Sequence, residues 1–341
     1  MRRSEITIDL AALRRNAAAL VEAAAGAELW AVVKADAYGH GAVSCARAAL
    51  EAGARALCVA TAGEGAALRR ELPEARVLVL SPLGDADEAL AREAGLDVAI
   101  SSARVPEGLP VHVKVDTGMG RFGMSPEEAA AIDPGRVVGI MSHLATADEE
   151  DASFARSQLE AFAKVSGRFP NATRHVANSA ATLTLPEARF DAVRCGVALY
   201  GLSPFGRDPG EHGLEPVLSW RSYVAQAKTL TAGGSTGYGR RYVAERETRI
   251  GLVPVGYGDG FRRGLTGTEV LVAGTRRRVV GTVSMDSFAV ELGDEPEGAP
   301  VTLIGDSLLV EEHSRHLGTI NYELTTGIVS DPRRAERRMD G

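Results

Sequence analysis

The sequence predicts an α/β chain, a (β/α)8 barrel followed by an all-β domain. Three observations carry that expectation. Eight short apolar runs alternate with amphipathic stretches over residues 1 to about 201. The segments between the runs carry the punctuation of helix ends. After about residue 215 the helical period fades, and β-rich runs separated by Gly and Pro take over.

In order, the eight runs are LWAVVKA, ALCVAT, RVLVLSP, DVAISS, VHVKVDT, VVGIMSHLA, TRHVANS and DAVRCGVALYG. Most are continuously apolar, as expected of parallel strands covered on both faces. Asp9 is placed to cap a helix that closes at Gly26, and Gly53 and Gly95 suit left-handed positions after helices. Thr61 with Glu64, Asp85 with Glu88, and Ser125-Pro126 with Glu128 have capping-box spacing. One connection is short. Only SARVPEGLP separates the fourth and fifth runs, too little for a full crossover helix. Further on, VLSWRSYVAQAKTL, TRIGLVPVGYG, EVLVAGTRRRVVGTVSMDSFAVEL and PVTLIG read as strands. The division gives a barrel domain of residues 9–225 and a β-domain of residues 226–341. The tail, DPRRAERRMDG, is highly charged and is expected to be a loose terminus.

Bulk properties narrow the function classes. A length of 341 residues suffices for two domains with a sizeable core, and 45% hydrophobic with 24% charged residues is the balance of a soluble globular protein. The net charge of −7 argues against a nucleic-acid partner. No stretch is long and apolar enough to span a membrane, and MRRSEITIDL has no apolar core behind it to act as a signal peptide. A cytoplasmic location is therefore expected. Cys45, Cys58 and Cys195 are odd in number, widely spaced and set among apolar residues, which suggests packed thiols and no metal site.

In a barrel of this kind the functional face lies at the C-terminal ends of the strands. Lys34 ends the first run; Lys114, Asp116 and the loop TGMGRFG with Arg121 end the fifth; His143 ends the sixth; Asn178 and Ser179 end the seventh; Arg194 lies in the eighth. Strand alternation puts His112, Lys114 and Asp116 on one side and Val111, Val113 and Val115 on the other. A core does not place charges on one face unless they are paired or functional. A lysine among other cations has a depressed pKa, which favours the neutral amine that attacks a carbonyl. Ser179 and the backbone around Gly196 follow the last two strands, where barrels often bind phosphate. A nucleophilic lysine, a phosphate cradle and arginines for a carboxylate together describe pyridoxal 5′-phosphate chemistry on an amino acid.

Over nearly its whole length the chain resembles the alanine racemase family. The resemblance runs through AVVKADAYGHG, KVDTGMGRFG, SHLATADE, ANSAAT, VRCGVALYGL, STGYGRRY, VGYGDG, GTVSMDS and GTINYE. It implies two-base racemisation of alanine, with Lys34 as the Schiff-base lysine and Tyr238 as the second base. It implies cofactor contacts from Tyr38, Arg121, His143, Asn178, Ser179, Arg194, Gly196, Val197 and Tyr322, with Arg194 at the ring nitrogen and His143 bridging Arg194 to the second base. Substrate carboxylate would meet Arg121 and Met285. Lys114, often carbamylated in the family, would orient Arg121, while Asp286, Tyr257 and Ile320 would support and narrow the site. Tyr238, Met285 and Asp286 would come from the partner in a homodimer with composite active sites. Residues 1–8 would join the β-domain, and the D-alanine made would serve peptidoglycan. Two positions depart from the family pattern, Ser284 where some members have Cys and Thr282 where many have Arg.

The rival readings differ in chemistry. A metal-dependent barrel hydrolase would use His112, His143 and His175, but the first run ends in Lys34 where a His-x-His pair would be needed. A non-enzymatic pyridoxal phosphate carrier would lack residues 226–341. A decarboxylase of related architecture would pair the ring nitrogen with a carboxylate, where Arg194 stands here. A racemase of another small amino acid such as serine differs by one hydroxyl, which an apolar pocket discriminates by only about 1–3 kcal/mol.

Overall fold

The computed structural model describes residues 3–341, and its contacts divide the chain into two compact units. One comprises Leu13–Phe205 and Pro209–Glu215, the other the N-terminal segment to Ala12, Gly206–Asp208 and Pro216–Gly341. They are called here the barrel unit and the sheet unit.

Strand β1, Glu5–Asp9, belongs to the sheet unit. The barrel unit closes eight parallel strands in chain order: β2 Glu28–Val32, β3 Ala56–Val59, β4 Val77–Val79, β5 Asp97–Ile100, β6 Val111–Lys114, β7 Val137–Met141, β8 Thr173–His175 and β9 Ala192–Cys195. These are the eight apolar runs. β3, β4, β5 and β6 are buried at every residue, which is why their sequences do not alternate. The predicted class holds.

Local signals account for most of the helices. The Asp9 carboxylate accepts the Ala12 N–H at 2.8 Å and so caps the helix Leu10–Ala24, which ends before Gly26 at φ +100°. Both halves of the capping box form at Thr61–Glu64 and at Ser125–Glu128. The third expected box is displaced by one residue. Helix Asp85–Glu93 starts at Asp85 itself, Asp87 accepts the Gly84 N–H at 3.5 Å, and Glu88 pairs with Arg104. The short fourth crossover carries no helix, so residues 101–110 pass from β5 to β6 as a loop.

The sheet unit continues with β10 Leu218–Tyr223, β11 Gln226–Leu230, β12 Ser235–Thr236, β13 Tyr242–Val243, β14 Thr248–Val253, β15 Glu269–Val272, β16 Thr275–Val280, β17 Phe288–Glu291, β18 Pro300–Ile304 and β19 Glu336–Asp340. Nine strands form one sheet in the order β11-β14-β17-β16-β15-β18-β10-β1-β19, while β12 and β13 make a separate hairpin. Two helices, Val310–Leu317 and Asn321–Thr326, accompany them, which an all-β reading does not anticipate. The charged tail is also not loose. It forms β19, parallel to β1, with Arg338 on Glu5 at 3.2 Å. As an edge strand it needs no apolar face, so its sequence gives no strand signal.

Candidate active site

Two residues past the end of β2, Lys34 opens a turn of unusual hand. Ala35, Asp36, Ala37 and Tyr38 have φ of 52°, 52°, 54° and 56°, and Gly39 follows at φ 85°. Left-handed backbone costs a residue with a Cβ roughly 1–2 kcal/mol, so the surroundings must hold it. Glu64 Oε1 accepts the Ala35 N–H at 2.7 Å, and Asp36 Oδ1 accepts the Ala42 N–H at 2.8 Å. His40 Nδ1 lies 3.0 Å from the carbonyls of both Ala37 and Tyr38, so that nitrogen carries the proton. Tyr200 donates to Val32 O at 2.8 Å and packs its ring 4.6 Å from His40 and 5.1 Å from Tyr38. KADAYGH is thus a built turn that fixes where Lys34 points.

Around Lys34 the barrel end is cationic. Burial lowers its pKa, Arg121 adds to that, and Arg194 does so more weakly, while Glu64 and Cys58 oppose. Lys114 is 7% exposed and donates to Leu80 O at 3.3 Å. Burial, with Arg194, Arg121 and Lys34, pulls its pKa down to about 8. His143 falls to about 3 through burial and the same cations, so its ring is neutral. Arg194, 5% exposed, is lowered by burial to about 10 and remains charged at neutral pH. It donates to Ser142 O at 2.7 Å and to His175 O at 2.6 Å, and reaches His143 Nδ1 at 3.5 Å.

Beneath Arg194 lies a chain of buried groups whose proton positions are determined. Arg194 only donates, so at 2.9 Å it makes His175 Nδ1 an acceptor. The His175 proton is then on Nε2, which donates to His112 Nδ1 at 2.8 Å. His112 Nε2 in turn donates to Asp97 at 3.2 Å, and Asp97 is paired with Arg76 at 2.7 Å. Burial lowers the pKa of both histidines, and they stay neutral. The Nδ1 lone pairs of both rings are taken up within this chain, that of His175 by Arg194 and that of His112 by His175. Among the described residues no group of three or more His, Cys, Asp or Glu side chains is arranged to hold a metal ion.

A second cluster gathers hydroxyls and amides. Ser179 Oγ accepts the N–H groups of Gly196 and Ala198 at 3.1 and 3.3 Å. A Cβ on Gly196 would stand 2.4 Å from the Tyr38 hydroxyl. Glycine there lets Tyr38, Ser179 and the Gly196–Val197 backbone converge beyond β8 and β9, a donor set suited to a phosphate. Asn178 differs from expectation in one respect: its Oδ1 caps the helix Ser179–Thr184 by accepting the Ala181 N–H at 3.0 Å.

The remaining predicted residues lie in the sheet unit, on loops. Tyr238 is 74% exposed beside the β12–β13 hairpin, and its carbonyl accepts from Thr282 Oγ1 at 2.9 Å. Thr282, the departure from the family arginine, is buried in that contact. Tyr257 and Gly258 donate to Ser284 O and Met285 O at 3.0 and 2.9 Å, which stitches two loops together. Arg334 binds Asp259 and Asp286, each at 2.7 Å, and so locks the same pair of loops. Ile320 and Tyr322 flank the start of the helix Asn321–Thr326.

Comparison with known proteins agrees with this geometry. The family described as alanine racemase, N-terminal domain, matches residues 8–204, and alanine racemase, C-terminal domain, matches residues 217–337. The alanine racemase of Streptomyces coelicolor is 42% identical, covering 96% of this chain and 94% of that one. This chain belongs to the alanine racemase family. Among solved structures, alanine racemase from D-cycloserine-producing Streptomyces lavendulae superposes with a TM-score of 0.93 at 38% identity, covering 100% and 98% of the two chains. Alanine racemase from Bartonella henselae with covalently bound pyridoxal phosphate gives 0.91 at 30% identity, covering 99% and 100%.

Sequence reasoning about this family member misses three groups: Glu64 and Tyr200 beside the Lys34 turn, and Asp97 at the foot of the histidine chain. Glu64 was read only as a helix cap, Asp97 only as the start of an apolar strand, and Tyr200 only as an apolar residue at the end of one. The charged Asp97 at the head of DVAISS was a usable signal, since a buried carboxylate needs a donor.

Proposed function

We propose that this chain interconverts L- and D-alanine using pyridoxal 5′-phosphate held covalently on Lys34. The observation that carries the reading is a partly desolvated lysine facing Arg121 and Arg194 at the mouth of a closed barrel, beside a hydroxyl-and-amide cradle. These residues fit the group: Lys34 for the aldehyde, Tyr38, Ser179, Gly196 and Val197 for the phosphate, and Arg194 for the ring nitrogen, with Tyr322 a further phosphate contact and Asn178 ordering the Ser179 turn. The pyridoxal phosphate described for the Bartonella henselae relative supports the assignment.

When bound, the cofactor supplies an electron-withdrawing ring that acidifies the α-carbon of the amino acid it carries. Arg194 would face the ring nitrogen as a donor that keeps its own proton, which would leave that nitrogen unprotonated and make the ring a weaker electron sink. Racemisation needs one group on each face of the α-carbon. Lys34, lowered by burial and two guanidiniums, takes or returns the proton on one face, and Tyr238 of a second copy does so on the other. His143, held beside Arg194, would link that guanidinium to Tyr238 of the second copy. Arg121 and Met285 meet the substrate carboxylate, with Asp286 behind Met285, and Tyr257, Ile320 and Tyr322 limit the side chain to about a methyl.

The active form is a homodimer with composite active sites, located in the cytoplasm, and its D-alanine serves peptidoglycan synthesis. Lys114 is partly neutral near pH 8 and adds to carbon dioxide with loss of one proton; the carbamate so formed orients Arg121. The test is chiral analysis of L-alanine incubated in D2O with the cofactor-loaded protein. Racemisation with deuterium at the α-carbon supports the reading. Alanine left unchanged overturns it, and turnover of serine alone transfers the assignment to that substrate.

A further inference from the structure

The left-handed turn after Lys34 is held from outside by one carboxylate. Glu64 lies in the first turn of the helix Ala62–Glu71, and the hydrogen bonds of its side chain are all acceptor bonds to backbone N–H groups. Oε2 takes Ala60 at 2.8 Å and Thr61 at 3.2 Å, on its own side of the β3 loop. Oε1 reaches across to Ala35 at 2.7 Å, the residue after Lys34. A capping box accounts for the Thr61 contact and for nothing on the Lys34 side. Ala35 is the first of four left-handed residues, each with a Cβ, so this bond holds the turn where it departs from the strand.

We propose that Glu64 is a positioning residue for racemisation: it clamps the Ala35 amide and thereby sets the direction of the Lys34 side chain. The proposal rests on Lys34 being the cofactor lysine. It also explains why this box uses a carboxylate although glutamine serves equally at such sites. Glutamine has a single acceptor oxygen. It would satisfy Ala35 or the Ala60–Thr61 pair, and its NH2 would face an N–H on the other side. The carboxylate has an electrostatic consequence too, because its charge raises the Lys34 pKa against the pull of burial and Arg121.

Three variants of the holoenzyme test this: Glu64→Gln, Glu64→Gln with Ala35→Gly, and Glu128→Gln as a control for a capping box that has no link to Lys34. Glu64→Gln is expected to lower kcat about 10- to 100-fold, the scale of a misplaced catalytic group. In cofactor-stripped protein it should shift the pH midpoint of Lys34 labelling by acetic anhydride, read by peptide mass, to lower pH. Ala35→Gly should restore much of the lost kcat, because glycine takes the left-handed conformation without a clamp. Glu128→Gln should change only thermal stability. Glu64→Gln behaving like Glu128→Gln, with kcat and the Lys34 profile unmoved, would overturn the clamp. Failure of Ala35→Gly to restore any activity would overturn it as well. Should Glu64→Gln not fold, Glu64→Asp, too short to span both loops, is subject to the same two readings. Borohydride trapping on unsubstituted protein separates the underlying assignment: cofactor fixed at a lysine other than Lys34 removes both.

Discussion

The barrel end and the sheet-unit loops both carry candidate side chains and hold them in opposite ways. In the barrel unit, Arg194, Lys114, Ser179 and the histidine chain are buried and their polar atoms are satisfied within the unit. In the sheet unit, Tyr238, Met285, Ile320, Tyr257 and Tyr322 are exposed by 74%, 54%, 48%, 43% and 37%. What is fixed there is backbone, through loop-to-loop hydrogen bonds and the Arg334 bridge. A closed barrel determines its site by packing. The loops determine where these side chains start and leave them 37–74% exposed.

The strongest way to break that contrast is to remove the proton carrier proposed for each unit. Lys34→Ala should reduce racemisation by about 10⁴-fold or more, the upper end of acid–base effects, because cofactor attachment is lost along with proton transfer. It should also abolish the visible absorbance of the bound cofactor. Tyr238→Phe should cost about 10²–10⁴-fold while changing the melting temperature little, since the residue is 74% exposed within its own chain. Its signature is asymmetry. Exchange of the α-proton with D2O should persist for one enantiomer of alanine and collapse for the other. Equal loss for both enantiomers would mean that Tyr238 is not the base on a single face.

The sequence made the barrel end legible for the same reason that the structure determines it. A cation at the end of a continuous apolar run, such as Lys34 after LWAVV, or His112 and Lys114 alternating with valines, has no bland explanation once five strands repeat it. Capping boxes at Thr61 and Ser125 were readable because spacing and side chain agree. At Asp85 the spacing was ambiguous: DADE offers acids at three adjacent registers, and the cap fell on Gly84, which has no side chain to announce it. Nor does ADAY contain a glycine to signal left-handed backbone; that hand is imposed by Glu64, Asp36 and His40, contacts distant in sequence or hidden in one ring. The edge strand β19 was unreadable because an edge can be charged on both faces.

Lys114 sharpens the contrast through pH. Its pKa is about 8 in the folded chain against about 10.4 when unfolded. Below pH 8 both states are protonated and the full penalty of burying the ammonium is present. Between about 8 and 10.4 the unfolded state binds more protons, so stability should rise with pH by up to about 3 kcal/mol. Lys114→Met should raise the melting temperature at pH 7 and flatten that rise. Carbamylation would mask the effect, so the comparison belongs in carbon dioxide-free buffer. A profile equally steep in Lys114→Met would assign the rise to another group.

The two units should also respond differently to one added methyl group. At Gly256 a Cβ would stand 2.2 Å from Ser284 O and 2.4 Å from Met285 O, both backbone atoms of the stitched loops. Nothing there yields except the loop itself. Gly256→Ala should therefore destabilise by about 1–3 kcal/mol, as overpacking does, and displace Tyr257 and Met285 together. At Gly196 the obstacle is the outer part of the Tyr38 ring, its hydroxyl at 2.4 Å and Cζ at 2.9 Å, a side chain and not backbone, and φ there is −114°, not left-handed. Gly196→Ala should leave the fold nearly as stable, push Tyr38 aside, and weaken cofactor binding about tenfold, equivalent to about 1.4 kcal/mol. Spectroscopic titration of pyridoxal phosphate into each variant, beside its melting curve, reads both effects. Destabilisation at Gly196 with unchanged cofactor affinity would place the phosphate elsewhere, and would mean that the Tyr38–Ser179–Gly196 cluster exists to pack the barrel end.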